Sequence, residues 1–184
     1  MRINSKKYLF VFILAIFIMN GCAAVGVIHT SNPWQKMRDA YQMMNYGRFL
    51  RAEQFLREAE KIFEEKENDH GIAEAYFSLG NMYKNNHEHN TLQDTKKSRE
   101  CFEHAHNLFR KNENFIGVAK SLFGLANAYG IENNSLESCS HYDESLNAYY
   151  KAKKLNPSAI MPIMIKKYKD FPDMVEDYKN HFCK

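Results

Sequence analysis

Beyond residue 21 the sequence has no surplus of either charge. The chain of 184 residues holds 25 Lys and Arg against 22 Asp and Glu, but three bases (Arg2, Lys6, Lys7) and no acid fall in the first 21 residues, leaving 22 of each. A balanced chain offers no electrostatic footprint for a polyanion, so nucleic acid is not an expected partner. Catalytic signatures are missing as well: there is no Gly-x-Ser-x-Gly, no glycine-rich phosphate turn and no His-Glu-x-x-His. The acids Glu53, Glu58, Glu60, Glu64 and Glu65 share their stretch with Arg57, Lys61 and Lys66, the pattern of a solvated, self-paired helix face rather than an acid/base pair. A non-enzyme without a cofactor is expected. Long apolar runs are absent too. The one run, Tyr8–Met19, has twelve residues, too few to span a bilayer comfortably as a permanent helix.

What that run does have is the right surroundings for export. A basic start precedes it, and Asn20, Gly21 and Cys22 follow, so residues 1–21 read as a signal peptide. The Gly21-Cys22 ending resembles a bacterial lipobox, although Met19 and Asn20 depart from its usual residues. The resemblance implies cleavage before Cys22, a diacylglyceryl group on its sulfur and an acyl chain such as palmitate on its new amine. Several acyl chains on one residue hold a protein at a membrane essentially permanently. An ordinary secretory signal cut near Ala23-Ala24, or an uncleaved anchor, would use the same residues. Ala23 in place of an acid after the cysteine resembles lipoproteins passed on to the outer membrane, which implies the periplasmic face of that membrane. Residues 22–31 then form the lipidated cysteine and a short tether.

With Cys22 assigned to lipid, Cys101, Cys139 and Cys183 remain, an odd number. An oxidising periplasm allows one disulfide and one buried thiol. Spacing does not choose the pair; Cys101 falls where a helix calls for a small buried residue, which favours Cys139–Cys183. The histidines cluster as His87-Glu88-His89 and His104-Ala105-His106, the latter one turn after Cys101. A metal needs three or four convergent ligands, yet His104 and His106 point to different sides of a helix, so surface histidines are the expectation and no metal is assigned.

The most informative positive feature is a repeat. Asn68–Tyr83 (NDHGIAEAYFSLGNMY) returns 46 positions later as Asn114–Tyr129 (NFIGVAKSLFGLANAY), with seven of sixteen residues identical. Such a period marks an architecture in which each unit buries its apolar face against its neighbours. Asn32-Pro33 starts a helix carrying Trp34, Met37, Tyr41 and Met44; Asn45–Arg48 is a turn; a second helix carries Phe49, Ala52, Leu56, Ala59, Ile62 and Phe63. Glu64–His70 ends it, and Gly71 begins the next connection.

These pairs resemble the tetratricopeptide repeat. Unit one supplies Ala40, Gly47, Phe49, Ala52, Leu56 and Ala59; unit two Leu79, Gly80, Tyr83, Phe102 and Ala105; unit three Leu125, Ala126, Tyr129, Tyr149, Ala152 and Pro157. The resemblance covers residues 32–157 and implies an all-α solenoid of three helix-turn-helix units, with Gly80 or Ala126 facing Ala105 or Ala152 where helices approach closely. Units two and three depart from it through longer turns, Asn85–Thr95 and Ile131–Ser140, both without the turn glycine. Residues 158–184 are expected to add capping helices, Ser158–Tyr168 (starting or kinking at Pro162) and Met174–Phe182, over the last open face.

By the same resemblance, first helices line a binding groove: Trp34, Met37, Tyr41 and Met44 from unit one; Glu74, Phe77, Asn81 and Lys84 from unit two; Lys120, Phe123 and Asn127 from unit three. Aligned Phe77 and Phe123 would form an apolar floor, and aligned Asn81 and Asn127 amides would bond the backbone of a bound peptide. The basic clamp of chaperone-binding relatives is incomplete, since Phe77 stands where a base is needed. The expected function is a lipid-anchored scaffold in the bacterial envelope that binds another envelope or secreted protein. Its use is either a pilotin-like assembly factor of a secretion system or pilus, or an immunity lipoprotein that neutralises a periplasmic toxin. A small-ligand or metal carrier is the least favoured use.

Overall fold

Asparagine decides where most helices begin. The computed structural model describes residues 30–162 and 167–183, and the signal peptide, the lipidation at Cys22 and nearly all of the tether lie outside the described residues. Seven helices run through the described part: α1 Pro33–Asn45, α2 Phe49–Glu65, α3 Asp69–Lys84, α4 Thr95–Lys111, α5 Phe115–Ile131, α6 Ser135–Leu155 and α7 Phe171–Phe182. All but α2 have an Asn or Asp cap (Asn32, Asp94, Asp170 and the related Asn68, Asn114, Asn134) whose side chain accepts from a first-turn N–H. Each cap satisfies a donor that the helix leaves orphaned, worth about 1 kcal/mol. No helix among the described residues is long and apolar enough to cross a membrane.

Four connections are three residues long and share one geometry. Gly47, Glu67, Glu113 and Asn133 each take a left-handed backbone, φ between 50° and 69°. In each turn the next residue's N–H reaches back five positions: Arg48 to Met43, Asn68 to Phe63, Asn114 to Phe109 and Asn134 to Tyr129, at 2.8–2.9 Å. This is the Schellman ending, which satisfies the last carbonyls of one helix, and in three of the four turns the following Asn starts the next. The expected long turn at Ile131–Ser140 is therefore not present: Ile131 still belongs to α5, and α6 begins at Ser135. Asn133 does the work expected of a glycine, because its short polar side chain tolerates the left-handed region. Gly71, expected in a connection, sits within the first turn of α3.

The α3–α4 connection is the one long turn between units' paired helices, and it is ordered by a single buried residue. The Asn90 side-chain amide donates to the carbonyls of Met82 (2.9 Å) and Asn85 (2.7 Å) and its oxygen accepts from the Leu92 N–H (3.1 Å). Its His87 packs on Phe49, ring centres 5.6 Å apart.

Packing repeats with the sequence. Phe63 lies on Gly71 and Phe109 on Gly117, 46 residues later, so close that a Cβ on either glycine would fall 2.2 or 2.3 Å from a ring carbon. Gly80 faces the Phe102 ring rather than Ala105, and Gly124 faces the same ring from the next unit. Buried Ser98 donates to the Gly80 carbonyl (2.8 Å), and buried Ser138 to that of Ala126 (2.9 Å), pinning each second helix to its partner. First helices touch the first helix of the next unit, α1 to α3 and α3 to α5, whereas α2, α4 and α6 make no close backbone approach to one another. Closer spacing on one side bends the stack, so first helices line the inner face. Buried on almost every side, α5 is apolar nearly all round, as a central helix must be.

The end of the stack differs from expectation. Asn156–Pro162 is not helical, so no helix starts at Ser158, and within it Met161 is buried in the core while Ile160 is exposed. Residues 163–166 of the expected Ser158–Tyr168 helix lie outside the described residues, and among the described ones the cap is α7. It contacts α5 and α6 in the place a fourth first helix would take, and Cys139–Cys183 ties it to α6 with Cα atoms 5.7 Å apart. Cys101 is the buried free thiol.

Candidate functional site

The inner face collects the expected groove residues, but most are spent on the fold. Met37 and Met44 are buried in the core of the first unit. The Tyr41 hydroxyl meets Ser78 Oγ at 2.9 Å, and Ser78 in turn donates to the Glu74 carbonyl. Lys120 and Glu74 form an ion pair across α3 and α5. The Lys120 ammonium also lies over the rings of Phe77 (4.6 Å) and Phe109 (4.8 Å), and burial lowers its pKa although Glu74 works the other way.

Phe77 and Phe123 keep their repeat equivalence in space. Phe77 packs on Phe102 at 5.6 Å and Phe123 on Tyr142 at 5.7 Å, each ring leaning on the second helix of its own unit. Their outer sides differ. Phe123 is covered by α7, with Phe171 at 5.6 Å and Tyr178 at 5.1 Å, so it does not floor an open groove. Asn127 is 3% exposed; it accepts from the Tyr142 hydroxyl at 2.7 Å and donates to the Phe123 carbonyl at 2.9 Å. Its amide is therefore not available to a peptide.

Beside half-buried Tyr41, Glu74 and Lys120, which are paired, and Phe123, which is covered, four residues of the row stay accessible. Trp34 is 37% exposed, with its other face edge-on to Phe63 at 4.7 Å. Phe77 and Asn81 are half-buried. Asn81 makes no side-chain hydrogen bond among the described residues. Half-buried Lys84 has no ion pair or hydrogen bond among them; its ammonium is 5.9 Å from the Phe102 ring centre, and burial pushes it down to about 8. Lys36 and Lys120, the other lysines drawn into the interior, each hold a carboxylate. The open part of the inner face thus lies on units one and two, one amide and one ammonium beside two aromatic rings.

A second concavity was not foreseen in the sequence. A cleft of about 520 Å³ opens between α2, α3 and α4, with Cys101, Tyr76 and Tyr83 along it and Lys97, Glu100 and His104 at its edge. Its polar groups largely satisfy one another. Tyr83 donates to the Glu53 carboxylate, Arg57 pairs with Glu60 at 2.9 Å, and the Tyr76 and His104 rings are 4.0 Å apart. Glu60 is consequently buried rather than on a solvated face. Burial raises Cys101 to about 11 and Tyr76 and Tyr83 to about 12, so all three stay protonated at neutral pH and none is a ready nucleophile.

The histidines also separate. His104 packs against Tyr76 with the rings tilted by 38°, whereas His106 buries an Nδ1 with no hydrogen-bond partner and His141 Nδ1 lies 3.5 Å from the Glu144 carboxylate. No group of three His, Cys, Asp or Glu among the described residues is placed to hold a metal ion. No family model, curated protein or solved structure matches the chain.

Proposed function

We propose that the chain is a protein-binding scaffold that recruits a segment of another protein to the inner face of units one and two. The observation that carries this reading is the unpaired Asn81 and Lys84 in a row whose other polar side chains are satisfied internally. An amine drawn out of water without a counter-charge is costly, and a bound carboxylate removes the cost. An amide one turn away offers both a donor and an acceptor to a peptide backbone, and the Phe77 and Trp34 rings give an apolar side chain somewhere to rest. The partner that fits is an acidic extended or helical segment.

Lipidation at Cys22 would make this a tether in the bacterial envelope. Confining a partner to one membrane surface raises its effective concentration with no new contact, the task of an assembly factor of a secretion system or pilus. The reading rests on the Gly21-Cys22 ending for location and on the tetratricopeptide-like pattern for the binding mode.

The test is in-cell crosslinking from a photoreactive residue at Asn81, with mass spectrometry of the adducts. One abundant envelope component captured at Asn81, and lost on Lys84→Glu, is the expected result. A secreted toxin as the adduct would move the chain to the immunity role. Adducts from a probe at Glu100 with none from Asn81 would overturn the inner-face reading.

A further inference from the structure

The charge balance of the whole chain conceals a segregation towards its C-terminal end. Residues 151–169 hold six lysines and no acid, so the rest of the chain beyond residue 21 keeps 16 bases against 22 acids. Among the described residues Lys167 pairs with Asp177 at 3.0 Å, whereas Lys151, Lys153, Lys154 and Lys169 hold no carboxylate. The acids that follow are engaged: Asp170 caps α7, and Asp173 accepts from the Lys169 N–H. On the last two turns of α6, Tyr150, Lys151, Lys154 and Leu155 fall at i, i+1, i+4 and i+5, one contiguous stripe. All four are exposed, Leu155 by 67%. Lys153 folds back to donate to the carbonyls of Pro157 and Ala159, and Met161 is buried in the core. The segment between is thereby pinned at the end of α6, and Ile160 stands 80% exposed on it. Tyr149, beside the stripe, has the Phe171 ring at 5.3 Å, which brings Lys169 to the same end of the stack. Exposed apolar side chains scattered singly need no explanation; three within eleven residues, interleaved with lysines that hold no carboxylate, do.

We infer that this end of the stack docks on an anionic phospholipid surface. Charge complementarity and the apolar side chains together select that occupant. The lysine ammonium groups meet the lipid phosphates, Leu155 and Ile160 enter the boundary of the acyl chains, and Tyr150 sits at headgroup level, where a ring with a polar tip is at home. A polyanion without an apolar layer would match the lysines and leave both aliphatic side chains in water. The acidic remainder of the chain adds to the orientation, because a negative surface attracts one pole of the protein and repels the other. Each lysine near such a surface raises affinity about fivefold, and the attraction fades beyond a Debye length of about 10 Å at 0.1 M salt. The inference rests on the reading of the chain as a protein that works at a membrane, and adds an attachment distinct from lipid at Cys22. The tether enters at α1 and this patch lies at the other end of the stack, so two attachments lay the stack along the membrane instead of letting it swing.

The experiment takes residues 22–184, the chain as cleavage would leave it, with Cys22→Ser so that no acyl chain is attached; Ser31–Lys184 forms a compact unit by itself. Binding is read by co-sedimentation with vesicles of phosphatidylcholine alone and of phosphatidylcholine with phosphatidylglycerol in equal parts, at low and at moderate salt. Binding to the mixed vesicles, none to phosphatidylcholine alone and a steep loss with salt are expected. Lys151→Gln, Lys154→Gln and Lys169→Gln together should weaken binding about 100-fold, and Leu155→Ser with Ile160→Ser at least about tenfold. All five positions are exposed, and the comparison of lipids on the chain without these changes decides even if a variant fails to fold. Equal binding to both kinds of vesicle, or none to either, would overturn the inference. So would an aliphatic double variant that binds as tightly as its parent, which would make the patch a contact for an acidic macromolecule instead. None of these results touches the Asn81 crosslink, so the two readings fail separately.

Discussion

The ring of Phe63 rests directly on Gly71, the first turn of one unit's helix beneath the last turn of the unit before. Phe109 and Gly117 repeat the contact one period later. Both phenylalanines are fully buried, so neither ring has room to swing aside. Gly71→Ala and Gly117→Ala gain up to about 1 kcal/mol of helix propensity but force an overlap that typically costs 1–3 kcal/mol. Urea unfolding should show each variant less stable, by about 1–2 kcal/mol, and a variant as stable as the parent would mean that the units slide apart easily.

Glu67 and Glu113 should be improvable. Both hold φ near 50° at the Schellman position, where a Cβ is strained and glycine is not. Glu67→Gly and Glu113→Gly are each expected to stabilise by about 0.5–1 kcal/mol, after subtracting the extra freedom glycine has in the unfolded chain. Gly47→Ala is the reverse experiment and should lower the unfolding midpoint.

Removing the disulfide should cost about 2–4 kcal/mol, read as the difference between unfolding curves with and without reductant. Cys101→Ala should leave that difference intact, because its thiol lies outside the pair. Loss of the difference in the Cys101 variant would contradict the pairing.

Acid should weaken the packing around His106 of α4. His106 buries an Nδ1 with no partner, and burial, with Arg110 close by, lowers its pKa below the ordinary 6.5 against the opposing pull of Glu144. The folded state therefore binds this proton less readily than the unfolded chain. The stability is present above about pH 6.5 and is lost as pH falls through the depressed folded value. The slope of unfolding free energy against pH between 7 and 5 should flatten in His106→Gln; an unchanged slope would remove His106 as a cause.

Lys84 separates stability from function. Its ammonium is drawn down to about 8 by burial with no carboxylate in compensation, so Lys84→Met should stabilise the free protein at pH 7 by about 1 kcal/mol. The same change should weaken capture of the partner at Asn81. Greater stability with undiminished capture would show that Lys84 is not part of the binding face.

The sequence by itself determined the repeat and therefore the class of fold. The 46-residue self-similarity, the Asn starts and the periodic apolar stripes are local signals, and a solenoid is built from contacts between neighbours in sequence. It also placed Phe77 and Phe123, and Asn81 and Asn127, at equivalent positions. What it did not determine is their availability. Phe123 and Asn127 are taken by Tyr142 and by α7, contacts that depend on how the last unit is closed. The short turn at Asn133 was hidden because a left-handed residue other than glycine has no strong compositional mark. Equivalence along the chain is set by the period; exposure is set by what happens to pack on each copy, and the copy at the end of a stack meets a different neighbour.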